Sequence, residues 1–497
     1  MTTVSNSGAV NVGSRKQLFL DNRYFNRSSG IALRMNPPYQ PAEPVLSADK
    51  PWEEQGIGGY NTVMREGESC FRLWYAAQML SGLPQEGAGR LCYAESEDGI
   101  TWHKPELGLV TFRDSEANNI VAPLDERQSM QGATVYIDER APAEARYRLW
   151  TKYQPGDDEI AAGTRPGLWA MHSADGTRWI YDDDQPNPPE QMCDTQNVFF
   201  WDDSIDQYVG YTRVHETQRR DEAAEMELGK RYRSVGRITS PDLKTWSQPT
   251  LIVLEGDALD LAAPLPPDSM ARPQMDFYTN AVYKHPEADD AYFMMPAAYY
   301  HWEESDAPAT MDVQLLTSRD GIVWERQGSR EPFIRRGLDG SPTGGMVMAN
   351  VWPVVTDTET WIYYGGRGNK HNSSDGDGSN TGLFRAVLRR DGFVSADAGL
   401  SGGEFVTPPL EFDGVELELN VDCGAGGWLL VELQDEEGHA LEGYTLKTCE
   451  TIVANDIRTR VVWRGPGGRI AVEKRTVRLR VVMRSAKLYS FQFTSRA

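Results

Sequence analysis

The sequence has no apolar run that approaches the roughly 20 residues needed to cross a bilayer. It is also short of basic residues. Lys and Arg number 50 against 73 Asp and Glu, a formal net charge of −23. That balance argues against a nucleic-acid partner, which needs clustered cations to displace counterions from phosphates. It argues equally against an anionic membrane surface. The charge as a whole suits a neutral or cationic ligand, or simply a well-solvated surface. The five cysteines (Cys70, Cys92, Cys193, Cys423, Cys449) are sparse, odd in number and never in Cys-x-x-Cys spacing. Neither a disulfide framework nor a zinc ribbon is expected, and free thiols fit a reducing compartment. The first twenty residues lack a basic start followed by an apolar stretch, so a secretory leader is not expected and the expected location is cytoplasmic. Gly-x-Ser-x-Gly, phosphate-loop and Gly-x-Gly-x-x-Gly patterns are missing, which weighs against serine-hydrolase and nucleotide chemistry.

What is present is a repeat. A Ser-x-Asp-x-x-x-Trp signature occurs at Ser96–Trp102, Ser173–Trp179, Ser240–Trp246 and Ser318–Trp324, at spacings of 77, 67 and 78 residues. Three copies contain Asp-Gly, which tolerates the positive φ of a tight hairpin. The Ser and Asp side chains can bond turn amides, and the Trp can anchor the outgoing strand. The signature is read as structural, a ruler rather than a site.

Ahead of each copy comes the same order of strand-like runs: 60–64, 71–77 and 90–96; 133–138, 147–152 and 167–173; 197–201, 208–213 and 234–240; 277–283, 291–297 and 313–318. A fifth set, 346–355, 361–365 and 382–388, ends in Arg390, Asp391 and Gly392 instead of the signature. Four-stranded units five times over describe a propeller. The run 17–20 is expected to close the ring as the outer strand of the fifth unit. After residue 400 short strands alternate with Gly, Asp and Asn turns, the pattern of a β-sandwich. The expected architecture is therefore all-β, a five-bladed β-propeller followed by a C-terminal β-sandwich. The expected divisions are a flexible N-terminus over 1–15, the propeller over 16–398 and the sandwich over 399–497.

This combination resembles the five-bladed propeller glycosidases of the family 32, 43 and 68 type, most closely family-32-like proteins. The residues that carry the resemblance are Leu18, Phe19, Leu20 and Asp21; the run from Cys92 to Gly99 with Trp102, Asn118 and Asn119; Asp194, Thr195, Gln196 and Asn197; Asp276 to Asn280; and Arg390 to Ser395. The Asn-Asp-Pro-Asn-Gly and Arg-Asp-Pro motifs of the family 32 enzymes are missing. The resemblance thus implies the fold and general glycosidase chemistry, not a fructan substrate.

A propeller binds small ligands at one end of its channel, where each unit's first strand starts and its second strand ends. First-strand starts supply Asn61, Gln131 with Thr134, Asp194 with Gln196, and Asp276 with Tyr278. Second-strand ends supply Gln78, Lys152, Arg213 with His215 and Glu216, Tyr300 with His301 and Glu303, and Arg367 with His371. Glycoside cleavage needs two carboxyl groups flanking the bond. Asp194 and Asp276 are the leading candidates, and Glu216 and Glu303 the next. Three of only seven histidines, His215, His301 and His371, fall on this face. With Gln196, Tyr278, Arg213 and Arg367 they are the candidate sugar contacts. Arginine forks suit carboxylate, sulfate or phosphate groups. The expected partner is a carbohydrate or glycoside, with no nucleic acid, no membrane and no cofactor. The alternatives are a non-catalytic carbohydrate-binding propeller, and a metal-dependent or phosphorolytic sugar enzyme using the His/Arg cluster. Asp21 and the Trp52–Glu54 segment are secondary candidates.

Overall fold

The computed structural model describes residues 2–3, 8–77, 89–122, 129–153, 167–182, 187, 195–216, 232–253, 274–301, 309–371, 380–472 and 476–495. The fold is all-β: among the described residues the helical elements are three single 3-10 turns. Four antiparallel four-stranded sheets follow in chain order. The first holds Ile57–Arg65, Phe71–Ala77, Arg90–Ser96 and Ile120–Ala122. The second holds Ser129–Ile137, Tyr147–Tyr153, Gly167–Ser173 and Ile180–Tyr181. Val198–Asp202, Gln207–Glu216, Tyr232–Ser240 and Thr250–Val253 make the third, and Val282–Lys284, Tyr292–Met294, Leu316–Ser318 and Glu325–Arg326 the fourth. The sheets are set in a propeller-like arrangement; Ile57–Arg65 packs beside both Ser129–Ile137 and Met346–Ala349, and Ser129–Ile137 also beside Val198–Asp202.

A seven-stranded sheet departs from the expected pattern. It runs Gln274–Phe277, Ala297–His301, Thr310–Val313, Met346–Ala349 and Glu359–Arg367, with Val354–Val355 and Thr381–Arg389 both on Glu359–Arg367. The strands of the fourth unit are broken at one level, so their inner ends join the sheet that follows. Three local features make the break: Pro296 lacks an N–H for the ladder, Ala281 has φ +42°, and Thr279 Oγ1 accepts the Ala297 N–H at 2.9 Å in place of a carbonyl. Side-chain oxygens serve the same purpose elsewhere: Asn61 Oδ1 accepts from Ala76 N and Asn197 Oδ1 from Arg213 N.

Each signature closes a local hydrogen-bond network of its own. In the fourth, Ser318 Oγ accepts from Gly321 N at 2.9 Å and donates to Asp320 Oδ1 at 3.0 Å, while Asp320 Oδ1 accepts from Ile322 N and Val323 N at 2.8 Å. The glycines sit at φ +69°, +79° and +68°; Leu243 takes the same position in the third copy at +62°. The hairpins also reach across units. Gly176 O accepts from Trp74 Nε1 at 2.6 Å, Gly321 O from Tyr211 OH at 3.0 Å, and Gly99 O from Tyr363 OH at 2.7 Å. Each donor lies on the second strand of a neighbouring unit, and the last clasp joins the beginning of the ring to its end. Ser318→Ala strips two turn amides of their acceptor and is expected to cost about 1–2 kcal/mol, read from the denaturant midpoint.

The remaining strands form an eleven-stranded sheet around a separate core that includes Phe19, Leu417, Val431, Trp463, Leu479 and Phe491. Two 19-residue strands, Glu416–Gln434 and Thr476–Thr494, run its length. Both ends of the chain build it. Arg27–Ser29 pairs with Gly403–Val406, Ile31–Met35 with Val394–Ala398, and Val10–Gly13 runs parallel to Leu410–Phe412. Gln17–Leu18 pairs with Thr476–Thr494, which corrects the expected closure of the ring by 17–20. The flank of Thr381–Arg389 is instead met by single bridges from Tyr39 and Leu46. The expected division at 15, 398 and 399 is likewise displaced, because strands before residue 36 belong to the C-terminal sheet. Short two-sided strands do not encode their partner, so position in the chain was a poor guide.

The two parts meet at the Arg390–Asp391–Gly392 turn. Asp391 is buried, paired with Lys16 at 3.0 Å, in contact with His285 Nε2 at 3.1 Å, and accepts from Ser490 Oγ at 3.1 Å. Arg390 pairs with Glu287, and Asn420 Nδ2 donates to Arg390 O at 2.8 Å.

Candidate active site

The first strands close tightly at their funnel ends. A Cβ on Gly132 (φ +73°) would stand 2.0 Å from Thr195 O, and one on Gly345 2.1 Å from Asn369 O. At these two points, therefore, only glycine lets the backbones approach so closely.

Asp276 lies in Gln274–Phe277 opposite Tyr299 and is fully buried. Its Oδ2 accepts from Arg233 Nη1 at 3.1 Å and from Arg233 N at 3.2 Å. Arg233 begins the third strand of its unit, opposite His215. Burial works to lower the Arg233 pKa, but the Asp276 carboxylate beside it prevails and raises it.

Next to this pair stand three rings. His371 Nδ1 is 3.1 Å from Tyr299 OH, and its Nε2 is 3.2 Å from Tyr278 OH. The Tyr278 and Tyr299 rings meet edge-on at 5.5 Å. Arg213 lies 4.6 Å and Arg233 5.0 Å from the Tyr278 ring centroid, within cation–π range. Arg213 Nη2 also donates to Tyr278 O. Burial pushes the Tyr299 phenol up to about 12, with Arg233 opposing and Asp276 adding to the shift. Tyr60, Met311, Met346 and Met348 pack with both tyrosines and make the surroundings apolar. Burial also lowers the Arg367 pKa, against the influence of Tyr278 and Tyr60.

No family model matches this sequence. No curated relative matches it either. Solved structures do resemble it in outline, all at low identity. An N-acetylgalactosamine deacetylase from F. plautii in complex with blood group B trisaccharide is 14% identical over 72% of this chain and 95% of its own, with a TM-score of 0.46. A β-1,2-mannobiose phosphorylase from Listeria innocua is 12% identical over 73% and 97%, at 0.44. A glycoside hydrolase family 43 arabinoxylan arabinofuranohydrolase from Bacillus subtilis is 11% identical over 90% and 97%, at 0.39.

Of the residues singled out in the sequence, Asp276, Tyr278, Arg213, Arg367 and His371 come together in this one cluster. Gln196 is buried nearby, with Nε2 donating to the carbonyls of Asn61 and Ala133 at 3.1 and 3.3 Å; it ties adjacent units together. Asp194 and Glu303 lie outside the described residues, as do the side chains of His215, Glu216 and His301. Asp21 and Glu53 serve elsewhere. Asp21 pairs with Arg319, and Glu53 takes Lys104 and the Tyr75 hydroxyl. Among the described residues no three His, Cys, Asp or Glu side chains gather as a metal site.

Sequence reasoning missed Arg233 and Tyr60. First-strand starts and second-strand ends are not the whole of this face, because the third strand Tyr232–Ser240 also begins there. The antiparallel register sets Arg233 opposite His215, which was the available signal. Tyr60 was passed over for its neighbour Asn61, which is buried in the bulge of its own strand.

Proposed function

We propose that the protein is a sugar-processing enzyme that cleaves a glycosidic bond in the funnel of a five-bladed propeller. In this reading the fifth blade is the part of the seven-stranded sheet from Met346 to Arg389, and the C-terminal domain is an accessory sandwich. The observation that carries the functional reading is the junction of the Asp276–Arg233 ion pair with the Tyr278–His371–Tyr299 rings. A carboxylate held in a fixed position by an arginine can stabilise the positive charge of an oxocarbenium-like transition state. An imidazole whose two nitrogens each face a phenol can take a proton on one side and release one on the other. The aromatic and methionine walls exclude water, which strengthens both effects. The second carboxyl group that the reaction requires would come from Asp194, Glu216 or Glu303.

The test is turnover of a panel of 4-nitrophenyl glycosides and oligosaccharides by the purified full chain, followed by released nitrophenol or new reducing ends. Cleavage of at least one class is expected. Tyr278→Phe removes only the hydroxyl facing His371 and is expected to lower kcat by about 10²-fold while the protein stays folded. Among the described residues Asp276 is the only carboxylate joined to this cluster, and that favours a second reading, a carbohydrate-binding propeller. Saturable sugar binding without cleavage of any panel member would establish it.

A further inference from the structure

The chain carries a large excess of acid, and several of its buried or half-buried cations are matched to it. Lys16 is paired with Asp391, Lys104 with Glu53, Lys284 with Asp202, Arg319 with Asp21 and Arg233 with Asp276. Like Arg90 and Arg385, Arg367 lies outside these pairs. It ends the strand Glu359–Arg367 opposite Met346, and no carboxylate pairs with it among the described residues. Its Nε is buried and makes no hydrogen bond. The neighbours that register on its charge are the phenols of Tyr278 and Tyr60. Arginine cannot escape a shielded position by losing its proton, and Arg367 is half-buried with the inner edge of its guanidinium unbonded, an unfavourable setting without a counter-charge. In a chain of net charge −23, a carboxylate partner would be easy to supply. A guanidinium left open in an aromatic funnel is a fork awaiting two oxygens.

We propose that Arg367 anchors an oxyanion of the ligand, so that the funnel takes an anionic carbohydrate bearing a carboxylate or works on a sugar in company with inorganic phosphate. This rests on the funnel being the ligand site, but not on which bond is broken there. The whole-molecule charge conceals the preference, because charges on the outer surface are screened within about 10 Å by salt, whereas Arg367 faces a low-dielectric wall.

The experiment is a thermal-shift and calorimetric titration of the full chain with sodium glucuronate, sodium galacturonate and inorganic phosphate. Glucose and sodium chloride at matched ionic strength serve as controls. Saturable stabilisation by a uronate or by phosphate, beyond both controls, is expected, and the arm that responds identifies the source of the oxyanion. In Arg367→Gln the ligand-free protein is expected to melt no lower than wild type, because a strain on the apo state has been removed. Its affinity for the responding anion should fall about tenfold or more. Arg367→Lys keeps the charge but loses the fork and is expected to fall between the two. The proposal is overturned if none of the three anions stabilises the wild type beyond the controls. It is equally overturned if Arg367→Gln binds the responding anion as wild type does, or melts well below it, which would make Arg367 a structural partner. All these readouts are of binding, so cleavage of neutral glycosides without anion binding would sink this proposal and leave the glycosidase reading standing.

Discussion

Asp276→Asn is expected to lower kcat/KM by about 10²–10⁴-fold on any glycoside the wild type cleaves. The substitution keeps the volume and planar shape of the side chain and removes its charge, so whatever Asp276 does as a carboxylate is lost at once. It also strands Arg233, whose Nη1 donates to Asp276 Oδ2 at 3.1 Å inside the fold. Breaking a buried pair on one side costs about 3–5 kcal/mol, so lower stability will accompany lower turnover and has to be separated from it. A second variant does this. Asp276→Asn combined with Arg233→Gln removes the stranded cation; stability is expected to recover in part while turnover does not. If turnover returned with stability, Asp276 would be a structural residue. Wild-type rates in folded Asp276→Asn would remove it from the site.

A comparable loss, of stability rather than activity, is expected from Asp391→Asn. Asp391 holds Lys16, His285 and Ser490 at the junction of the two domains. Burial acts against its charge, but the hydrogen bond and charge of His285, with Lys16, keep the carboxyl well below the usual range. Asparagine would leave Lys16 with the half-exposed Glu287 as its remaining partner, at a cost of about 3–5 kcal/mol. The pH dependence follows from the depressed folded pKa. The contribution is complete above the unfolded aspartate value of about 3.9, and it is lost as the pH falls from there toward the folded value. Denaturant unfolding between pH 7 and pH 3 should therefore show a wild type that weakens below about pH 4, and a variant weaker throughout with a shallower acid limb. Coincident curves for the two proteins would show that the junction does not bear on stability.

The parts of this fold legible in the sequence are those determined by neighbouring residues. A Ser and an Asp two positions apart, followed in three of the four copies by Gly, specify a hairpin, and the four hairpins mark out the repeating units. The same frame led to Asp276, Tyr278 and His371, because a strand end is a local feature. Arg233 was hidden because its relevance depends on the register between two strands rather than on either strand alone. The pairing of Gln17–Leu18 with Thr476–Thr494 was hidden for the same reason at greater distance: alternation of apolar and polar residues says which face is buried, not against what. In the sequence Asp391 reads only as part of a turn that replaces the signature. Its turn geometry is real, at φ +60°, but its importance lies in side chains contributed by three remote segments.

The placement of the chain's two ends in one sheet has a consequence during synthesis. Arg27–Ser29 and Ile31–Met35 are translated early, whereas their partners Gly403–Val406 and Val394–Ala398 come near the end. At ordinary elongation rates the interval is roughly 20–70 s. Through that interval the early strands have apolar residues and open ladder edges with nothing native to bind, the condition in which nascent chains recruit holdase chaperones or pair wrongly. The strand pairing within each four-stranded sheet joins segments close in sequence and has no such wait. The four-stranded sheets can therefore form one after another as the chain emerges, whereas the eleven-stranded sheet waits for its last strands.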